Sequence, residues 1–383
     1  MPLGRLLRRV DWVLVLTVVV IMALGLTMIA GSTAEGWRTV MDSSYVRRQG
    51  IFALLGLGAM FLSLSVDYRY LRSLSRFFYV VSLGLLGAVL GYGVTAGGAT
   101  RWLLIGPLRF QPTEVVRIMV ILTLANQVTA PSRSRSDEYT WADFGWSVLH
   151  VGLPALLVLA QPDLGSALVF GAVLLGELYL GGFNPWRLLA VAAAAGAGVC
   201  GTLVAYLRYD VEIPFLKPYM VNRLVAFVDP TADPTGAGYH LQQSIIAIGS
   251  GRLTGNGLFR GAGAQLHFLP EQHTDFIFSA LGEQVGFAGV ALLLLAFTVM
   301  FLRMLSAAAG AGAGDRYGAV LVGGVVAMLL FRVVVNVGMT VGIMPITGLP
   351  LPFVSYGGTA LVADLICVGL VLNVGMRRHR IRF

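Results

Sequence analysis

Apolar runs of close to twenty residues recur along most of the chain, separated by shorter polar segments. A bilayer's hydrocarbon core is about 30 Å thick and takes about 20 helical residues to cross. The pattern predicts ten membrane-spanning helices, over residues 11–31, 49–66, 77–95, 111–129, 146–162, 166–181, 187–207, 275–302, 317–343 and 358–376. The expected fold class is therefore all-α, a polytopic membrane helix bundle. It forms a single domain over residues 1–383, with no repeat or internal boundary. The first run follows Arg5, Arg8 and Arg9 as a signal peptide would. It exceeds the roughly 7–15 apolar residues of a signal segment, so an uncleaved first helix is expected.

One interval breaks the rhythm. Residues 208–274, between the seventh and eighth runs, make the single large piece outside the membrane. An even number of spans puts both termini on one side, and the arginines choose which side faces the cytoplasm. Fifteen arginines fall on the side of the termini, among them Arg69, Arg133, Arg303 and Arg377. Five fall in the short loops opposite: Arg38, Arg47, Arg48, Arg101 and Arg109. Both termini are expected in the cytoplasm, and the 208–274 loop outside the cytoplasmic membrane.

Composition agrees with this picture. Of 383 residues, 57% are hydrophobic and 12% charged, where soluble domains carry roughly a quarter charged. The net charge of +8 reads as a topology signal. No basic patch interleaved with aromatics points to nucleic acid. Cys200 and Cys367 both lie inside apolar runs, so a structural disulfide is not expected.

Inside the large loop, Leu241, Ile245 and Ile248 recur at helical spacing, which predicts a short helix over 239–248 lying on the membrane surface. Six glycines follow within fifteen residues, at 249, 251, 255, 257, 261 and 263. Such a run suits a flexible loop, or a cradle where backbone approaches an anion. The spacing is wrong for a dinucleotide motif, and no strand precedes it. The 129–143 segment is rich in serine, arginine and aspartate and reads as a mobile loop.

Ionisable residues within membrane helices are expensive and usually functional. Glu114 and Arg117 sit three apart, on one face of the fourth helix. They could form an ion pair that only holds the helix, or a charged wall for an anionic substrate. Arg332 and Asp364 lie at comparable depth on the ninth and tenth helices and could pair. Proline-marked breaks at 110–114, 161–166 and 344–358 all fall on the outer side, where irregular backbone must line protein or a cavity. Ser355 is no nucleophile elbow, because Phe353 stands where that motif needs glycine. No cluster has zinc spacing, and His267 and His273 read as surface histidines.

At the lip of the eighth helix stands Asp275, within Phe268–Phe278. A carboxylate there meets water on one side and a low-dielectric wall on the other. Taken alone, its place before an apolar run suits a helix cap as well as a base.

These residues together resemble the SEDS family of shape, elongation, division and sporulation proteins. The likeness spans nearly the whole chain. It rests on Arg101-Trp102, Phe110-Gln111-Pro112-Thr113-Glu114, Gln161-Pro162-Asp163-Leu164-Gly165, Gly238-Tyr239, Gln243-Ser244, 247–251, Leu269-Pro270-Glu271, Thr274-Asp275-Phe276 and 345–358. Arg117 is a departure, since the family usually has lysine there. An arginine grips phosphate as a fork and not as a point charge.

The resemblance implies a peptidoglycan glycosyltransferase that polymerises lipid II, with Asp275 as its catalytic aspartate and a class B penicillin-binding protein as partner. Glu114, Arg117, Arg48, Arg101 and Ser355 are the expected substrate-binding residues. A divalent cation, Mg or Mn, is the one cofactor anticipated. Short segments at both ends favour the elongation-type member over the division-type one. The rivals are a lipid II flippase and a scaffold without activity. Clustering of the polar motifs on one side of the bundle favours the enzyme.

Overall fold

The computed structural model describes residues 9–33, 40, 43–96, 99–106, 108–130, 140–209, 218–233, 236–260, 272–311 and 314–377. Arg5, Arg8, Arg38, the 131–139 part of the serine-rich loop, Gly261, Gly263, His267 and Glu271 lie outside them. Among the described residues, ten helices of 17 residues or more overlap the expected apolar runs. They are α1 (Trp12–Thr33), α2 (Ser44–Ser65), α4 (Ser75–Tyr92), α5 (Pro112–Val128), α6 (Trp141–Ala160), α7 (Leu164–Leu180), α8 (Pro185–Tyr209), α11 (Ile277–Ala311), α12 (Arg316–Thr340) and α13 (Gly358–Arg377). Between them lie a short α3 (Tyr68–Ser73) and, before α11, α9 (Pro218–Val228) and α10 (Ala237–Ser250).

Eight of the described helices are long and apolar enough to cross a membrane; α7 is shorter, at 17 residues. The chain is a multi-pass membrane protein. α5, also 17 residues, carries Glu114 and Arg117 in its first two turns and is buried along most of its length.

Helix starts follow local chemistry. Proline opens α5, α8 and α9, where its missing N–H costs nothing. Thr140 and Asp143 close a capping box on α6. Asp163 and Asp315 cap α7 and α12, each accepting a backbone N–H from the first turn. Hydrogen bonds between helix termini and loops define two ends of the bundle. One holds the start of α1 and the end of α13. The other holds α9, α10 and the loops that precede α5, α7 and α13.

α12 and α13 form the centre. Their apolar windows are 78% and 72% buried, against 6% for α8, which lies on the outside. α13 packs on α2, α12 on α7 and α11, and α11 on α1.

Four features add to or depart from the sequence expectations within a predominantly helical fold. First, a three-stranded antiparallel sheet interrupts the helices: β1 (Val94–Ala96), β2 (Ala99–Ile105) and β3 (Leu108–Phe110). Thr95 faces Thr100 and Leu104 faces Arg109. So short a sheet leaves no mark in the recurrence of long apolar runs.

Second, α11 is not one continuous span. It breaks at Gly286, which adopts φ 67° and ψ −169°. Third, α10 does not simply lie on the surface. Gly238, Leu241, Ser244 and Ala247 are buried against the bundle, while Ile245 and Ile246 remain exposed. The Ser244 hydroxyl bonds Ser279 of α11 at 2.6 Å and donates to the Thr340 carbonyl at 2.7 Å.

Fourth, the glycine run is neither a loose loop nor an anion cradle along its described part. It zips onto the break in α11. Asn256 N–H donates to Glu283 O, Gly257 N–H to Gln284 O, Phe287 N–H to Arg252 O and Ala288 N–H to Leu253 O, all at 2.9–3.0 Å. A Cβ on Gly255 would come within 2.2 Å of Gln284 O. The glycine therefore permits backbone to meet backbone.

Candidate active site

The first helical bonds of α11 run from Ser279 and Ala280 N–H to the carbonyl of Phe276. Phe276 is thus the capping position, and Asp275 stands one residue outside it. Phe276 is buried with Leu241, Met339 and Ile346, which anchors the chain just past Asp275. Asp275 itself is half-buried.

A backbone clamp holds the segment 273–275. The Asn336 side chain, wholly buried in α12, donates to Asp275 O at 2.9 Å and to Leu349 O at 2.8 Å. Ser355 Oγ donates to Thr274 O at 2.6 Å and accepts from Leu351 N–H at 2.8 Å. Tyr356 N–H donates to His273 O at 2.9 Å. The proline-rich segment 345–357 therefore runs as a strap alongside the Asp275 segment. Gln49 of α2 ties the strap to the bundle, donating to Ser355 O and accepting from Gly357 N–H, both at 3.2 Å. His273 is no plain surface residue: its ring lies 4.6 Å from Tyr45 and 5.6 Å from Tyr356.

Gly348, in the strap, has φ 73°. A Cβ placed on it would lie 3.3 Å from Asp275 Oδ2 and 3.3 Å from Arg223 Nη1. The carboxylate and a guanidinium from α9 thus converge at a strap position that carries no side chain.

Behind the strap sit four buried charges. Arg117 donates to Glu114 Oε2 at 2.7 Å and to Ser166 Oγ at 2.7 Å. Arg332 donates to Asp364 Oδ1 at 2.6 Å and to the strap carbonyl of Pro350 at 3.3 Å. Arg117, Glu114, Arg332 and Asp364 are each 3% exposed or less. The Nε atoms of both arginines have no partner among the described residues. Ser166 donates to Asp163 Oδ2 at 2.8 Å, and Arg101 reaches the same carboxylate at 3.7 Å and Pro162 O at 2.8 Å. Arg48 stands apart from this network, exposed in the second turn of α2 and next to Gln49.

The structure thus brings Asp275 and Ser355 together through the strap. Glu114, Arg117 and Arg101 join through the Asp163–Ser166 pair. The hydroxyl of Ser355 is used in both directions, which makes it a clip on the backbone. Sequence reading missed Asn336, Gln49 and Arg223. Asn336 had a signal, being an amide inside an otherwise apolar run. The other two had none, because the groups they meet lie far along the chain, Ser355 and Gly357 for Gln49 and Asp275 and Gly348 for Arg223.

These features define a class: a polytopic membrane bundle with a half-exposed carboxylate on a clamped segment at the head of a broken helix. Residues 11–380 match the FtsW/RodA/SpoVE family of cell cycle proteins, and the chain belongs to that family. This agrees with the SEDS resemblance of its motifs. It is 38% identical to the peptidoglycan glycosyltransferase MrdB of Escherichia coli K12, over 85% of this chain and 84% of that one. It is 37% identical to a probable peptidoglycan glycosyltransferase FtsW of Alkalilimnicola ehrlichii, over 97% of this chain and 90% of that one. Among solved structures, it is similar to a chain from a peptidoglycan synthase complex that coordinates polymerization and crosslinking, with TM-score 0.78, 34% identity and coverage of 97% and 99%. It is also similar to the rod shape determining protein RodA of Thermus thermophilus, with TM-score 0.68, 30% identity and coverage of 97% and 98%.

Proposed function

We propose that the chain is a peptidoglycan glycosyltransferase of the RodA type. It polymerises lipid II into glycan strands at the outer face of the cytoplasmic membrane, for elongation and rod shape, beside a class B penicillin-binding protein. Both termini lie in the cytoplasm and 208–274 outside. The likeness to MrdB and to a synthase-complex subunit supports this reading. The observation that carries it is the placement of Asp275, whose backbone is fixed by Asn336 and whose neighbour Thr274 is fixed by Ser355.

In the proposed reaction, a sugar hydroxyl of one glycan attacks the anomeric carbon of a sugar carried on undecaprenyl diphosphate. Making a β-linkage from an α-linked donor needs one inverting displacement and one base, by analogy with inverting glycosidases. Asp275 takes the hydroxyl proton as the new C–O bond forms, and the diphosphate departs with the electron pair of the broken bond. It leaves without a proton and needs positive charge nearby. Arg48 is exposed for that contact, whereas Arg101 and Arg117 already hold Pro162, Asp163, Glu114 and Ser166. Glu114 and Arg117 then serve as the charged wall behind the strap, and Ser355 positions the strap against the substrate.

No group of three or more His, Cys, Asp or Glu side chains that could hold a metal ion occurs among the described residues. A divalent ion, Mg or Mn, would therefore enter with the donor's own diphosphate, and no step above is routed through it.

The test is Asp275→Asn, which keeps size while removing basicity. Purified variant and wild type are compared for polymer made from labelled lipid II, with melting temperature and partner binding measured on the same samples. Polymerisation is expected to fall by about 100-fold or more, the usual scale of general-base catalysis, with stability retained. Near-wild-type polymer from a folded variant would sink the assignment. Leaflet transfer of lipid II without polymer would indicate a flippase.

Topology has its own check, in a Cys200→Ser background. A cysteine at exposed Thr254 should react with an impermeant thiol reagent in intact cells, and one at exposed Gly314 should not. The reverse labelling would invert the orientation.

A further inference from the structure

Arg223 lies in α9, a helix within the large extramembrane segment. Its neighbours in the sequence are mostly apolar, so nothing in the pattern marks it. The structure brings its guanidinium to the same point as the carboxylate of Asp275. Measured from an ideal Cβ on Gly348, Nη1 is 3.3 Å away, Nη2 3.8 Å and Asp275 Oδ2 3.3 Å.

Gly348 is suited to this by two features. Its φ of 73° lies where L side chains are strained. Any side chain there would also fill the space into which the carboxylate and guanidinium project. Both charged residues are half-buried, so the pair meets solvent on one side and protein on the other.

We infer that Arg223 is a positioning residue for Asp275. Its fork holds the carboxylate at the Gly348 gap, in the orientation that receives the acceptor's proton. The inference rests on the reading of Asp275 as base. A lysine could supply the charge but not the planar fork, since its ammonium is a point charge on a flexible stem. The strap supplies the floor of this arrangement and α9 the arm. A 1 Å misplacement of a reacting group can cost about 100-fold in rate, so a residue that only orients the base can still dominate turnover.

The experiment measures kcat and KM for labelled lipid II, together with melting temperature. It uses full-length wild type, Arg223→Gln, Arg223→Lys, Asp275→Asn and the Arg223→Gln/Asp275→Asn double variant. Arg223→Gln should lower kcat by about tenfold or more, with KM within about twofold of wild type. Arg223→Lys should recover part of that loss at unchanged melting temperature. In the Asp275→Asn background, Arg223→Gln should cost nothing further, because two residues acting as a unit are not additive. A rise in KM at constant kcat would overturn the inference and make Arg223 a substrate contact. Multiplicative losses in the double variant would overturn it too.

Should Arg223→Gln fail to fold, Arg223→Lys decides the question: wild-type kcat in that folded variant overturns the inference. The two failures are distinguishable. If Asp275→Asn polymerises normally, the base assignment falls. If Asp275→Asn is inactive while Arg223→Gln turns over normally, only the role of Arg223 falls.

Discussion

Both halves of the bundle are tied by arginine–carboxylate pairs, but the pairs live in opposite surroundings. At the end that carries the termini, Arg303–Asp11, Arg69–Asp315 and Arg377–Asp67 close at 2.7, 3.0 and 3.2 Å, with side chains 15–46% exposed. Behind the strap, Arg117–Glu114 and Arg332–Asp364 close at 2.7 and 2.6 Å, with side chains no more than 4% exposed. The distances are alike, so geometry does not separate the groups. Solvent does. Exposed pairs are worth about 0–1 kcal/mol and act as separate clips between helix ends. Buried pairs cost several kcal/mol per ion to desolvate, so four such charges under one loop are poor value as fasteners. Their place behind the Asp275 strap gives them a different use, as a fixed polar floor for chemistry at the membrane surface.

That contrast can be broken most decisively at Arg332. Arg332→Ala strands the Asp364 carboxylate inside the bundle and should destabilise by about 3–5 kcal/mol. Asp364→Ala should do the same from the other side. The double change should cost less than the sum, since it leaves no orphan charge. Thermal unfolding in detergent reads all three, and simple additivity would mean the pair is not coupled.

A smaller effect is expected where the glycine run meets α11. Gly255→Ala places a methyl 2.2 Å from Gln284 O at φ 77°. The strain alone should cost about 1–3 kcal/mol. A melting temperature equal to wild type would show that this seam is not tightly closed in solution.

The smallest effect, at the other end, sharpens the comparison through pH. Asp315 accepts from Tyr68 Oη, Gly318 N–H and Arg69. Burial is the largest influence on its carboxyl and pushes the pKa up. The Tyr68, Gly318 and Arg69 contacts together outweigh it, so the group lies below the usual carboxylate range. Burial first, and Asp315 second, push the Tyr68 hydroxyl upward, which keeps it a donor. A carboxyl depressed by folding stabilises above its unfolded value, about 3.9, and that stability is lost as pH falls through the lower folded value. Asp315→Asn should therefore cost about 1 kcal/mol at pH 7, the scale of an ordinary partly exposed hydrogen-bonded pair. The gap to wild type should close as the pH is taken below about 4. A gap independent of pH would mean the carboxylate's charge contributes nothing.

Sequence alone was enough for the long apolar helices, because a bilayer imposes a length that can be counted in apolar residues. It was also enough for the pairing of Arg332 with Asp364, because charges at equal depth in neighbouring apolar runs have few alternatives. Asp275 stood out because a carboxylate at the mouth of an apolar run is rare and costly. The motifs that carry the family resemblance lie in order along the chain and needed no coordinates. The break at Gly286, by contrast, was invisible, since a glycine inside an apolar run does not announce a positive φ. The glycine run read as freedom, whereas its described part is a backbone seam, and only the partner strand of atoms from α11 reveals that.

The Ser355 hydroxyl is a clip on the backbone, which only its two hydrogen-bond partners, Leu351 and Thr274, reveal. Asn336, Gln49 and Arg223 owe their roles entirely to partners distant in sequence. Hydropathy is a property of each residue and its near neighbours, so it is written locally. A clamp, a strap and two charges meeting at one glycine are properties of segments that only folding brings within reach of one another.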